Sequence, residues 1–161
     1  MKRTKLSHLD AHGRARMVDV SDKPDTKRVA IAQGAISIAP ETLKLIVAGK
    51  VPKGDVLTVA KIAGIAGAKR TSELIPLCHP IPLDAIDLKW QPDLEAGRLT
   101  VTATVTSTSK TGVEMEALTA CAVALLTIYD MCKSAERGMV IEKICLVEKR
   151  GGRSGTWRRT L

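Results

Sequence analysis

The residues best suited to chemistry sit at the two ends of one apolar stretch, TGVEMEALTACAVALLTIYDMCK, from Thr111 to Lys133. Glu114 and Glu116 open it, and Asp130 and Lys133 close it. Asp130 and Lys133 share a helix face at a spacing of three. They read either as a surface ion pair or as an acid–base couple. Glu114 and Glu116 fall in the first turn, where carboxylates complement the helix dipole, so a structural role stays open for them. At 100° per residue, Glu116 and Asp130 point within about 40° of each other but stand about 21 Å apart along the axis. One helix alone does not bring both to a small substrate. Two copies packed antiparallel across a twofold axis would, and a composite site in an obligate oligomer is the expectation.

Three other stretches carry polar groups that a site needs. IPLCHPIPL (Ile75 to Leu83) holds Pro76, Pro80 and Pro82, so it is not helical, and Pro80 biases His79 towards an extended conformation. A rigid loop of this kind presents Cys78 and His79, although a bystander role for His79 stays open. VPKGD (Val51 to Asp55) is a turn that displays Lys53. The tail KRGGRSGTWRR groups Lys149, Arg150, Arg153, Arg158 and Arg159 with Gly151, Gly152 and Gly155. It suits close approach of backbone N–H groups to an anion as well as it suits a solvated basic tail. His8 and His12 have helical spacing, but no third ligand stands nearby. GIAGAKRT lacks the spacing of a phosphate loop.

The elements that must position these groups follow from pattern. RVAIAQGAISI (Arg28 to Ile38) is a strand, Glu41 to Ala48 a short helix stopped by Gly49, and Val56 to Leu74 a second helix. Leu83 to Trp90 and Arg98 to Thr108 form a hairpin around Asp93 to Gly97. In its second arm Leu99, Val101, Ala103 and Val105 alternate with threonines, as in a half-buried antiparallel strand. The apolar stretch is a helix made of strong helix formers, covered by protein on all sides. Its uncharged run from Glu116 to Asp130 is too short to span a bilayer. Met139 to Glu148 is the last strand. The order predicts an α+β, ferredoxin-like βαββαβ sandwich, an antiparallel sheet with helices on one face. Residues 1–27 read as a flexible N-terminal arm and 28–161 as a single domain.

Composition narrows the class. The 161 residues carry a formal net charge of +8, which favours an anionic partner. Trp90, Trp157 and Tyr129 are the only aromatics, so the core must be aliphatic, with closely packed helices. Four scattered cysteines without a C-x-x-C pair read as free thiols in a reducing compartment. The N-terminus is basic without an apolar segment, which points to the cytoplasm over secretion and leaves organellar transit open.

VPKGDV, ELIPLCHPIPL, KTGVEMEALTACAVALLTIYDMCK and GGRSG, in that order from about Met17 to Gly155, resemble the molybdenum cofactor biosynthesis protein C family. These are cyclic pyranopterin monophosphate synthases. The resemblance implies conversion of 3′,8-cyclo-7,8-dihydroguanosine triphosphate, supplied by a radical enzyme acting on GTP, into cyclic pyranopterin monophosphate and pyrophosphate. It implies a hexamer built as a trimer of dimers, with sites between subunits. By resemblance Asp130 is the active-site acid or base, with Lys133 and Lys53 as catalytic neighbours. Leu77, Cys78, His79, Met115 and Glu116 line the substrate, and Glu114 is implicated beside them. An ideal helix sets Glu114 about 200° from Glu116. Lys149 and Lys53 match basic residues that hold phosphates or developing anions. Asp19, Lys23 and Arg28 match positions in an arm that closes over the ligand. No cofactor is required, and Mg²⁺ with the triphosphate stays open. Arg153 stands where the family commonly has lysine in GGKSG; a planar guanidinium is not equivalent to an ammonium.

The rival class is a binding module, because basic βαββαβ folds include RNA-recognition domains. Those stack bases on strand aromatics, and LTVTATVTS has none, which counts against single-strand RNA. A double-stranded or nonspecific phosphate binder is the alternative that stays open, and the expected partners include neither nucleic acid nor a membrane.

Overall fold

The computed structural model describes residues 12–160. His8 lies outside the described residues, as does most of the sequence before Gly13. One five-stranded antiparallel sheet, in the order β2-β3-β1-β4-β5, carries a layer of helices on one face. Its strands are β1 (Thr26–Ser37), β2 (Ala85–Asp93), β3 (Arg98–Ser109), β4 (Val140–Arg150) and β5 (Trp157–Arg158). The first four have the ferredoxin-like arrangement. The central β1 runs antiparallel to both β3 and β4, and β2 lies outside β3.

Alternation sets the buried face. Leu99, Val101, Ala103 and Val105 of β3 and Ala30, Ala32 and Ile36 of β1 are all completely buried. The β2–β3 turn forms where predicted, with Asp93 Oδ1 accepting from the Ala96 amide at 2.9 Å. The tail supplies an element that the pattern did not suggest. Trp157 and Arg158 pair with Lys149 and Glu148 as the edge strand β5, and Glu148 binds both Arg150 and Arg158.

The helices are α1 (Pro40–Val47), α2 (Val56–Lys69), α3 (Thr71–Leu74) and α4 (Glu114–Cys132). The helix expected over Val56 to Leu74 breaks at Arg70 into α2 and the single turn α3. α4 packs against the sheet on one side and α2 on the other. Close approach replaces aromatic bulk. A Cβ at Gly64 would come within 2.9 Å of the Ala120 carbonyl oxygen, and one at Gly67 within 2.7 Å of Val123. With 19 residues and an apolar composition, α4 is long enough by itself to cross a bilayer, contrary to the expectation from its shorter uncharged run. Burial decides its role. Ala117, Ala120, Cys121, Ala124, Leu125 and Ile128 are completely buried in the core. It is not covered all round, because Met115 and Leu126 are 37% and 59% exposed.

Candidate active site

The predicted site residues fall into two groups, one at each end of α4. At its C-terminal end, Lys133 Nζ lies 2.6 Å from Asp130 Oδ1, and Lys53 Nζ lies 3.8 Å from Oδ2. Lys53 Nζ also donates to the Asp130 backbone carbonyl at 2.9 Å, where the helix dipole favours a cation. Local structure puts Lys53 there. Gly54 turns the chain at φ +102°, and Asp55 then caps α2 by accepting from the Thr58 amide. The hydrogen bond from Lys133, its charge and that of Lys53 hold the Asp130 carboxyl below the usual carboxylate range. Asp130 in turn raises Lys133. At neutral pH the cluster is one carboxylate between two ammoniums, well exposed to solvent.

At the N-terminal end, the first turn of α4 opens onto a cavity of about 620 Å³. Lys23, Arg28, Lys110, Lys149, Arg150 and Arg153 line it, with Glu114 the one acid among the described residues of its wall. Lys149 Nζ donates to Glu114 Oε1 at 2.9 Å. Such a wall neutralises a polyanion. Sequence reasoning missed Lys110 and gave Arg150 only as part of a basic tail. The signal was present for Lys110, which begins the segment KTGVEME, but strand-end lysines are common and the cavity exists only once β1, β3 and β4 are paired.

Glu114 and Glu116 diverge as the helical angle requires. Glu114 faces the cavity, whereas Glu116 is 4% exposed and close enough to Cys78 to act on its thiol. Burial, and then the Glu116 charge, raise Cys78, so this thiol stands protonated. Burial also raises the Glu116 carboxyl, with the Glu114 charge adding to it. A raised folded-state value stabilises the fold at low pH and is lost as pH rises through that value. Glu116 is therefore a cost to stability at neutral pH. Glu116→Gln is expected to raise Tm at pH 7 by about 2–4 °C, with the gain fading below the ordinary glutamate range. Thermal melts from pH 4 to 8 check this, and a gain of equal size at every pH would refute it.

The proline loop reaches this end of α4 through Ser107, whose hydroxyl donates to the Pro82 carbonyl at 2.7 Å. His79 does not point freely into solvent. Its Nε2 lies 2.7 Å from the Val18 carbonyl, so Nε2 carries the proton and donates. Lys110 Nζ donates to the Ser21 carbonyl at 2.7 Å. The arm is thus tied at two points, and beyond them Lys23 and Pro24 form part of the cavity wall. Asp19 hydrogen-bonds the Ser21 hydroxyl and amide, which hold its carboxyl below the usual range. Arg28, matched by resemblance to the arm but read from the pattern as the start of a strand, belongs to β1. Leu77 is 36% exposed on the same loop.

Together the fold and these two clusters define a small α+β protein with a cation-lined cavity and a separate carboxylate–ammonium cluster. Comparison with known proteins makes this specific. The model of the MoaC family matches residues 17–152. A protein of Thermomicrobium roseum is 58% identical over 154 residues, covering 96% of this chain and 93% of its own. One of Pelotomaculum thermopropionicum is 56% identical over 154 residues, covering 96% and 91%. One of Novosphingobium aromaticivorans is 58% identical over 153 residues, covering 95% and 96%. All three are named cyclic pyranopterin monophosphate synthase. This chain belongs to the MoaC family.

Proposed function

We propose that this chain is a cyclic pyranopterin monophosphate synthase, a lyase of molybdenum cofactor biosynthesis. Its substrate on this reading is 3′,8-cyclo-7,8-dihydroguanosine triphosphate, made from GTP by a radical enzyme. The observation that carries the reading is the cation-lined cavity at one end of α4, in a chain with relatives of that name along nearly its whole length. Closing the cyclic phosphate requires a hydroxyl oxygen to attack the α-phosphorus. Its proton passes to a base, and the bond to the β-phosphate breaks to release pyrophosphate. The cations of the cavity neutralise the triphosphate and the departing pyrophosphate. Asp130, ionised between Lys53 and Lys133, accepts protons, and Lys133 returns them during rebuilding of the ring. Cys78, His79, Leu77, Met115 and Glu116 form the wall against the base. Any Mg²⁺ arrives on the triphosphate, because Lys149 already occupies Glu114.

The two clusters work together only across a subunit boundary. From Glu116 to Asp130, α4 rises about 21 Å, farther than one substrate reaches. Met115 and Leu126, within about 20° of one another on the outer face of α4, offer an apolar strip for a second copy, and Ile62 of α2 is 63% exposed as well. Antiparallel pairing there sets each Asp130 end against the partner's cavity, and three such dimers form the hexamer. We place the enzyme in the cytoplasm, in keeping with its four free cysteines.

The test is turnover of the purified cyclic GTP derivative, following pyrophosphate and pterin together. Equal release supports the synthase; a well-folded protein releasing neither refutes it. Within this reading, Lys149→Met is expected to weaken binding of inorganic tripolyphosphate about 10- to 100-fold and to flatten its salt dependence. Titration calorimetry at two ionic strengths checks it, and unchanged binding would remove Lys149 from the phosphate seat.

A further inference from the structure

Among the cations of the cavity, Arg28 is held in a way that the others are not. Its Nε donates to the Ser109 carbonyl and its Nη2 to the Lys110 carbonyl, each at 3.3 Å. Both carbonyls lie where β3 gives way to the approach to α4. Against the guanidinium, at the end of β4, stand Gly151 and Gly152, with φ of +99° and +72°. A Cβ added to Gly152 would overlap Arg28 Nη1, and one added to Gly151 would overlap the Lys27 carbonyl oxygen. The third glycine of the run behaves differently. Gly155 also has positive φ, +64°, but a Cβ there would meet nothing within 4 Å, and it does not line the cavity.

We propose that Gly152 is a positioning residue for Arg28. By lacking a side chain it leaves the space in which the Ser109 and Lys110 carbonyls fix the guanidinium plane. A guanidinium has five N–H donors and these two bonds use two, so the remaining donors serve a phosphate group in the cavity. The glycine run thus acts through an arginine 124 positions earlier in the chain, and not only by bringing its own amides to the anion. That the phosphate belongs to the cyclic GTP derivative rests on the function proposed above; the anion seat itself does not.

The experiment measures the Kd of inorganic tripolyphosphate by calorimetry for the full chain and five variants. Gly152→Ala is expected to bind about 10- to 100-fold more weakly, the loss of a charge-assisted hydrogen-bond set. Gly155→Ala, with comparable backbone strain and no overlap, stays within about twofold of the wild type. Arg28→Lys removes the planar fork, and the double variant Arg28→Lys/Gly152→Ala should bind no worse than Arg28→Lys alone. Arg28→Gln leaves the glycines untouched and reproduces the loss, which keeps the seat testable if Gly152→Ala folds poorly. Three results would each overturn the proposal: wild-type affinity in Gly152→Ala or Arg28→Gln, an equal loss in Gly155→Ala, or independent losses in the double variant. Absence of tripolyphosphate binding by the wild type would overturn it too. Pterin turnover by the wild type is measured separately. Its failure, with the binding pattern intact, would sink the synthase reading and leave the seat standing.

Discussion

Asp130→Asn is expected to reduce pterin formation by about 10²- to 10⁴-fold while leaving the fold and the oligomer in place. The amide keeps the shape of the carboxyl and still hydrogen-bonds, but it neither accepts a proton at neutral pH nor holds Lys133 by charge. Stability should barely move, because the Asp130 side chain is 62% exposed and surface ion pairs contribute little. The pH dependence has a definite sign. Lys133 and Lys53 depress the Asp130 carboxyl, so the pair's contribution is present above the ordinary aspartate range and is lost only as pH falls through the lowered value. The acid side of the turnover profile should therefore stay flat through the range where an ordinary aspartate protonates. Steady-state rates with both products followed, together with sedimentation of the variant, are the check. Wild-type turnover in Asp130→Asn would remove this residue from the chemistry.

Mixing two impaired variants should restore activity. Lys149→Met damages the cavity end of α4, and Asp130→Asn damages the other end. If each site joins the cavity of one subunit to the Asp130 cluster of its partner, a mixed dimer has one intact site and one doubly damaged site. Random exchange makes half of the dimers mixed, so about one quarter of the wild-type rate returns. Co-expression with two affinity tags isolates species that contain both variants; about half of the dimers in such hexamers are mixed, so the expected rate stays near one quarter. The assay is run at substrate concentrations that the wild type saturates and Lys149→Met does not. A rate equal to the sum of the separate variants, in a species shown to be mixed, would place both ends of the site within one subunit and end the intersubunit reading.

Much of the architecture is legible in the order of residues alone. The alternation of Leu99, Val101, Ala103 and Val105 with threonines dictates which face of β3 is buried, because side-chain direction in a strand has period two. Asp93 to Gly97 carries its own turn chemistry, and the hairpin forms there. The Asp130–Lys133 pair is legible for the same reason, since residues three apart on a helix are neighbours whatever surrounds them. Other features depend on contacts between distant segments. The break at Arg70, with α3 leading into the proline loop, has no glycine or proline to announce it. β5 exists because Trp157 and Arg158 find the free edge of β4.

For the candidate site, sequence alone determined the local chemistry: the charged ends of α4, the rigid loop carrying Cys78 and His79, and the glycines of the tail. Tertiary structure decided their partners. Pairing of β1 with both β3 and β4 gathers Arg28, Lys110 and Lys149 around one cavity, and the same pairing sets Gly152 against Arg28. Helical rotation then sends Glu114 to that cavity and Glu116 into the protein beside Cys78. Local spacing is fixed by the covalent geometry of helix and strand, whereas convergence of residues a hundred positions apart is fixed only by sheet order and register.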